Sequence, residues 1–316
     1  VLVQGDTPVN GPHQGAWLDT QTGEDYFLHF QDVYAAGRIV HLQPVKWVND
    51  WPIMGEQVSD VAGQPVMSHK KPDIGEKAAE AAESFRREHG LADIYAPDAS
   101  DDFCGDKLGM QWQWNANHSD DWYSMTGHGI ELRPMEKSAD SSIADAPNLL
   151  LQKWIAPEFS AVTELSVVTL GEGDIAGMVS LGVDYGAVAA RKNGGVVSIV
   201  SISGSQTFKD EKAYSEDKVV ELAKVGTDVK KVYFRNRVEA LPMVEKDVTR
   251  NEIYLDYSLD GVNYVNVLTY EAAAGRWVGV KHGIFCCNEP GTAEAKAQCE
   301  ENGQGVLFNY FKVEKL

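Results

Sequence analysis

Apolar side chains in this chain recur at every second residue, and that alternation limits the fold more than any other feature of the sequence. Tyr26-Phe27-Leu28-His29-Phe30, Leu165 to Leu170, Val196 to Ile202, Lys231 to Arg235 and Glu252 to Tyr257 are short and rich in β-branched and aromatic residues, with Gly, Asn and Asp between them. A period of two sends successive side chains to opposite faces, so each segment predicts a strand. Arg191-Lys192-Asn193-Gly194-Gly195, Gln21-Thr22-Gly23-Glu24 and Leu259-Asp260-Gly261-Val262 read as hairpin turns, the last of type I′ because Asp-Gly suits it. Many short strands at regular spacing predict an all-β chain.

One stretch breaks the pattern. Glu76 to His89 is full of Ala, Glu, Lys and Arg, and Gly90 suits its C-cap. It follows Lys70-Lys71-Pro72-Asp73 and precedes Ala96-Pro97-Asp98-Ala99-Ser100. This predicts a short helix inside a linker over 73–100, with one domain in 1–72 and another in 101–316. A length of 316 residues is enough for two domains. Val1-Leu2-Val3-Gln4 already reads like a strand, with no start methionine and no signal peptide. The expectation is a processed N-terminus or the C-terminal part of a longer protein.

Charge narrows the partners. Lys plus Arg is 28 and Asp plus Glu is 47, a formal net charge of −19. Nucleic-acid backbones and anionic membranes need a cationic face, so neither is the expected partner. No apolar run reaches the roughly 18–20 residues that span a bilayer. The four cysteines are too few for a disulfide-built scaffold, and none of their spacings reads as CxxC. Cys286 and Cys287 are neighbours and would face opposite sides of a strand. One of them, with Cys287 taken here, could meet Cys299 across the polar loop Asn288 to Gln298; the alternative is buried or free thiols.

Residues 1–56 are dense in Trp, His and Arg: Asn10-Gly11-Pro12-His13-Gln14-Gly15-Ala16-Trp17, Gly23 to Asp32, Gly37-Arg38-Ile39-Val40-His41-Leu42-Gln43-Pro44 and Trp47-Val48-Asn49-Asp50-Trp51-Pro52. Sugar rings stack on aromatic faces, and Arg donates several hydrogen bonds in a fixed fork. A carbohydrate site is one reading and an aromatic core the other; Trp47 and Trp51 read as core.

These motifs, in this order, resemble the last blades of glycoside hydrolase family 43, whose members are five-bladed β-propellers. They include β-xylosidases, α-L-arabinofuranosidases and endo-arabinanases. The resemblance places His13 on a histidine near the propeller axis that takes part in the hydration shell of a central ion. It places Arg38 on an arginine that contacts the sugar. Gln31 and Asp32, with His29 and His41, could lie near the cleft. Family members invert the anomeric centre with an Asp base, an Asp that tunes the acid, and a Glu acid. The resemblance implies that all three come from blades preceding the GPHQGAW motif, so this chain is expected to lack them. Asp19, Asp25 and Asp32 read as turn or surface residues.

Residues 101–316 resemble the concanavalin A-like β-sandwich that follows the propeller in some of these enzymes. The resemblance rests on Asp101-Asp102-Phe103, Leu108 to Asn117, Trp122-Tyr123-Ser124, Leu150 to Lys153, Tyr257 to Gly261, Gly275 to Gly279, Gly283-Ile284-Phe285 and Phe308-Asn309-Tyr310-Phe311. Two sheets with hydrophobic faces can close a core of this length. Trp112, Trp114 and Trp122 could form a sugar platform, with Trp112 and Trp114 at i and i+2 of one strand, or else belong to the core. A structural calcium would use Asp101 or Asp102 with Asn309; no other cofactor is expected.

The fold expected is therefore all-β: terminal propeller blades, a linker helix and a jelly roll. The function expected is that of the C-terminal part of a β-xylosidase- or α-L-arabinofuranosidase-like enzyme acting on xylan- or arabinan-derived saccharides. This chain alone would be inactive, and its parent extracellular or periplasmic. The alternatives are a non-catalytic carbohydrate-binding or packing sandwich, and a module that completes a propeller in trans.

Overall fold

Four consecutive strands, β1 (Gly15–Asp19), β2 (Asp25–Asp32), β3 (Arg38–Val48) and β4 (Trp51–Met54), pair antiparallel in sequence order. This computed structural model describes all residues except 13, 89–97, 137–141, 156, 210–211, 243–249, 274–276 and 289–304. The chain divides into two compact units, one drawn mainly from residues 1–88 and the other mainly from 98–316, the latter including Tyr34–Ala36.

The four-stranded meander is the form of one propeller blade. Its tightest turn is Asn49-Asp50, with φ of 50° and 61°. Two left-handed residues between antiparallel strands make the connection that matches strand twist, and Asn and Asp tolerate it best after Gly. The sequence reading missed this hairpin. After β5 (Glu56–Ser59) and β6 (Ala62–Gln64) the chain reaches α1 (Glu76–Glu88), within the span expected of the helix. No side chain of α1 is buried. Val1 to Gln4 does not form the expected strand; Leu2 makes a single bridge to Gly63.

Trp47 and Trp51 are not core. They are 45% and 44% exposed, and Trp17 is 62% exposed. Their indole N–H groups are nonetheless held. Trp17 donates to one oxygen of Asp25 at 2.8 Å and Trp47 to the other at 2.7 Å, while Trp51 donates to the Val61 carbonyl at 2.9 Å. The Trp17 and Trp47 rings meet edge to face, 5.4 Å apart.

The second unit is a sandwich. Its strands are β7 (Gln113–Trp114), β8 (Tyr123–Met125), β9 (Ile130–Leu132), β10 (Met135–Glu136), β11 (Leu150–Lys153), β12 (Phe159–Ser166), β13 (Asp174–Leu181), β14 (Asp184–Asn193) and β15 (Val196–Ser205). Then come β16 (Thr207–Lys209), β17 (Lys212–Tyr214), β18 (Lys218–Lys224), β19 (Lys231–Leu241), β20 (Arg250–Ser258), β21 (Val265–Glu271), β22 (Lys281–Asn288) and β23 (Val306–Lys315). One sheet runs β18-β15-β14-β13-β22-β11-β7 with β10 beside β22; the other runs β21-β20-β19-β12-β23-β9-β8. The hairpin at Gly194-Gly195 has φ of +58° and +74°, as a type I′ turn requires. The one at Asp260-Gly261 differs: six residues, 259–264, separate β20 from β21, and only Gly261 has positive φ. The segment Leu165 to Leu170 is also no continuous strand, because β12 stops at Ser166 and Val167–Thr169 form a 3-10 turn.

Phe159, Phe234, Leu255, Phe308 and Phe311 of the seven-stranded sheet are fully buried between the sheets. His282 lies there too, its ring 4.7 Å from Phe159 and 5.3 Å from Phe311. The other face of the larger sheet carries a second apolar cluster. Val179, Tyr185, Ala189, Val200 and Phe285 pack there under Ile143, Ala146 and Leu149.

Burial pushes the His282 imidazole down to about 3. The unfolded chain binds that proton near pH 6.5, so the contribution of neutral His282 is complete above that pH and is lost as the pH falls. We predict that urea midpoints of wild type and His282→Phe converge or cross on going from pH 7 to pH 4.5, where protonation costs the wild type ~2–3 kcal/mol. An equal difference at both pH values would refute this. Asp25→Ala, which frees two indoles, should destabilise the first unit by about 1 kcal/mol and red-shift tryptophan emission; unchanged emission would contradict the clamp.

Candidate functional site

The hairpin of β2 and β3 carries most of the residues singled out in the first unit. Its register pairs Phe27 with Gln43, His29 with His41, Gln31 with Ile39 and Asp32 with Arg38. Because side chains alternate, His29, Gln31 and His41 occupy one face, and Phe30, Asp32 and Arg38 the other. Gln31 and Asp32, adjacent in sequence, are therefore not brought together.

On the first face three rings stack. Phe27 and His29 are 5.6 Å apart, and His29 and His41 are 5.4 Å apart. Gln31 donates through Nε2 to the Pro8 carbonyl at 2.8 Å, which leaves its Oε1 to accept from His41 Nε2 at 3.0 Å. An amide oxygen only accepts, so His41 carries its proton on Nε2. By the same logic His29 carries its proton on Nδ1, which meets the Phe30 carbonyl at 3.3 Å. Burial lowers the pKa of both imidazoles, and the charge of His41 lowers that of His29 further. The pair is thus held neutral. His29 Nε2 is buried and has no hydrogen-bond partner among the described residues.

On the second face the Arg38 guanidinium lies 4.1 Å over the Phe30 ring, beside Asp32 at the last rung before the turn. The stacked cation and the carboxylate opposite it on the neighbouring strand place guanidinium donors and an acceptor on one face of the hairpin. That set suits vicinal hydroxyl groups. The neighbouring carboxylates serve the fold: Asp25 clamps two indoles, and Glu24 accepts from the Tyr26 hydroxyl at 3.0 Å and from the Asp73 amide at 2.7 Å. The Asp73 amide and Tyr26 hydroxyl hold Glu24 below the usual carboxylate range. His13 lies outside the described residues.

In the sandwich the three tryptophans part company. Only Gln113 and Trp114 are strand, so Trp112 and Trp114 do not share a strand face. Trp112 is buried against Phe103 and Phe311 and donates to Asp101 at 2.8 Å. Trp114 and Trp122 do meet, edge to face at 5.5 Å, with Tyr123 and His118 beside Trp114. Asp101 bridges to Phe311 in the backbone. Asp102 accepts from the Cys104 amide; Asn309 donates through its Nδ2 to Glu164, and its Oδ1 is buried with no hydrogen-bond partner among the described residues. Among the described residues, no three His, Cys, Asp or Glu side chains are placed to hold a metal ion. Cys287 is buried in the outer apolar cluster and Cys286 lies on the other face of β22; Cys299 is outside the described residues.

What the sequence reading missed is the clamp on Asp25 and the neutral His29–His41 pair. The second follows from register, and the five-residue connection 33–37 gave no sign of it.

The family described as the beta xylosidase C-terminal concanavalin A-like domain (GH43_C2) matches residues 100–301. A putative beta-xylosidase of Xylanibacter ruminicola is 30% identical over 288 residues, which cover 90% of this chain and 46% of that protein. A beta-xylosidase of Formosa agariphila is 26% identical over 303 residues, 87% of this chain and 45% of that one. The chain thus spans slightly less than half the length of these curated relatives. Among solved structures, a bifunctional GH43-CE protein of Bacteroides eggerthii aligns with a TM-score of 0.67 at 26% identity, over 97% of this chain and 34% of that one. A GH43 glycoside hydrolase whose active site was engineered to give both endo-xylanase and exo-arabinofuranosidase activity aligns with a TM-score of 0.74 over 99% of this chain and 56% of that one; at 21% identity the likeness is one of fold. With the family match extending over most of its length and a blade-like meander preceding a two-sheet sandwich, the chain belongs to glycoside hydrolase family 43, by way of its C-terminal concanavalin A-like domain.

Proposed function

We propose that this chain furnishes one wall of the sugar site of a β-xylosidase- or α-L-arabinofuranosidase-like enzyme. The saccharides would be xylan- or arabinan-derived. The observation that carries the reading is Arg38, stacked on Phe30 and paired across the hairpin with Asp32. Arg38 would donate to two sugar hydroxyls, and Asp32 would accept from a third. The neutral His29–His41–Gln31 face would back this wall without adding charge.

Inverting hydrolysis needs an acid to protonate the leaving oxygen and a base to activate water on the opposite face, roughly 6.5–9.5 Å apart. Asp25 and Glu24 are committed to the fold, with both oxygens of Asp25 taken by indoles. In this reading the chain's part is binding and orientation, and proton transfer is assigned to other carboxylates of the enzyme.

Two measurements test this. The purified chain should release no nitrophenol from nitrophenyl β-xyloside or α-arabinofuranoside above the buffer rate; turnover that survives repurification would sink the assignment of the acid and base. Saturation-transfer difference NMR with xylose or arabinose should show contact that Arg38→Ala weakens about tenfold, the scale of one charge-assisted hydrogen bond. Contact unaltered in Arg38→Ala would remove that residue from the site.

A further inference from the structure

The seven-stranded sheet buries one face in the sandwich and turns the other outward. On the outward face, register aligns Tyr310, Glu164, Tyr233 and Ser258 in one row, and Lys312, Val162, Arg235 and Asp256 in the next. These positions alternate with the buried Phe234, Leu255 and Phe311. A sheet face open to water ordinarily carries solvated, mobile side chains, with carboxylates among the most exposed. Here two carboxylates lie beneath the surface: Asp256 is 1% exposed and Glu164 7%.

Both are fully engaged. Arg235 bonds Asp256 through Nε at 2.8 Å, and Asn266 donates to the other oxygen at 2.9 Å. Lys231 lies 2.7 Å from Glu164, which also accepts from Asn309 and the Tyr233 hydroxyl. The cations are braced in turn. Arg235 sits 4.1 Å over the Tyr264 ring, and Lys312 4.5 Å over Tyr310. The loop that brings Tyr264 here is fixed by Asp260, which accepts from the amides of Val262 and Asn263 and from Ser258. Gly261 is needed at its tip, because a Cβ there would come within 3.2 Å of the Tyr233 ring at φ +75°. Burial first, then the charge of Glu164 and the neighbouring Tyr264 and Tyr233, moves the Tyr310 hydroxyl up to about 12. The three phenols therefore remain protonated donors.

We propose that this outward face is a binding site for a neutral oligosaccharide, built around Tyr233, Tyr264, Tyr310, Arg235, Asp256 and Glu164. Three features select that ligand. Each carboxylate is balanced by its own cation, so the face has little charge with which to hold a polyanion or a polycation. The half-buried phenols, each already held against a cation or the Gly261 turn, present ring edges with a polar rim, which matches the edges of a pyranose. The side chains are already fixed by one another, so little conformational freedom remains to be lost on binding. These residues are not those of the Arg38 wall, and the inference stands whether or not that wall belongs to a hydrolase.

The test is calorimetric titration of the purified chain with xylohexaose, with hexagalacturonate as the charged control. We expect saturable binding of xylohexaose, weakened about tenfold or more in Tyr310→Ala and in Tyr264→Ala, as befits aromatic anchors. Arg235→Ala strips a buried carboxylate of its partner and invites misfolding, so the two tyrosine variants carry the test, each checked for an unchanged melting temperature. Lys312→Ala should weaken binding less. Absence of binding would overturn the proposal. So would binding that both tyrosine variants retain, binding abolished instead by Trp114→Ala or Arg38→Ala, or tighter binding of hexagalacturonate. Chromatography of the titrated sugar reports cleavage separately, so failure of the hydrolase assignment and failure of this site are distinguishable.

Discussion

β13 is buried at every one of its eight residues, so both of its faces must be covered. One face meets the seven-stranded sheet; the other needs a second layer, supplied by Ile143, Ala146 and Leu149. The stretch 142–149 can take that place only if its backbone polar groups are satisfied. Ser142 and Asp145 cap its single turn reciprocally, and Asp217 accepts from the Ile143 amide and from the Tyr185 hydroxyl at 2.8 Å. The polar staple and the apolar layer are one device, since burying either without the other would be costly.

The same two-sided burial explains what could and could not be read from the residues. β15, β19 and β20 alternate or carry β-branched runs bounded by turn signals, and all three were legible. Gly194-Gly195 was legible because two glycines between strands admit few alternatives. β13 and β22, buried on both faces, have no polar phase to mark their period. Trp47 and Trp51 were misread because a large apolar side chain suggests burial, whereas exposure is set by what packs on the blade. For the site, the opposite placement of Gln31 and Asp32 follows from alternation alone. The rung joining His29 to His41 does not, because it depends on where the turn closes. The outward array spans Glu164 to Lys312, and only the strand order β20-β19-β12-β23 assembles it.

Two kinds of polar burial stand side by side in the sandwich. Asp256 and Glu164 lie below the outward face, each with a cation and further donors in contact. His282 lies between the sheets among phenyl rings, so its charge is excluded.

Strand order also governs how such a chain must be made. β12 pairs with β19, yet its other neighbour is β23, and the Thr163 hydroxyl bonds the Tyr310 carbonyl across 147 residues of sequence. β13 likewise waits for β22. During synthesis from the N-terminal side, these central strands emerge long before their partners and hold unpaired edges and apolar faces in the meantime. Folding is bound to be late and non-local, with the slow closure that such contacts impose. A ribosome pausing before residue 281 would leave both sheets open at their middles.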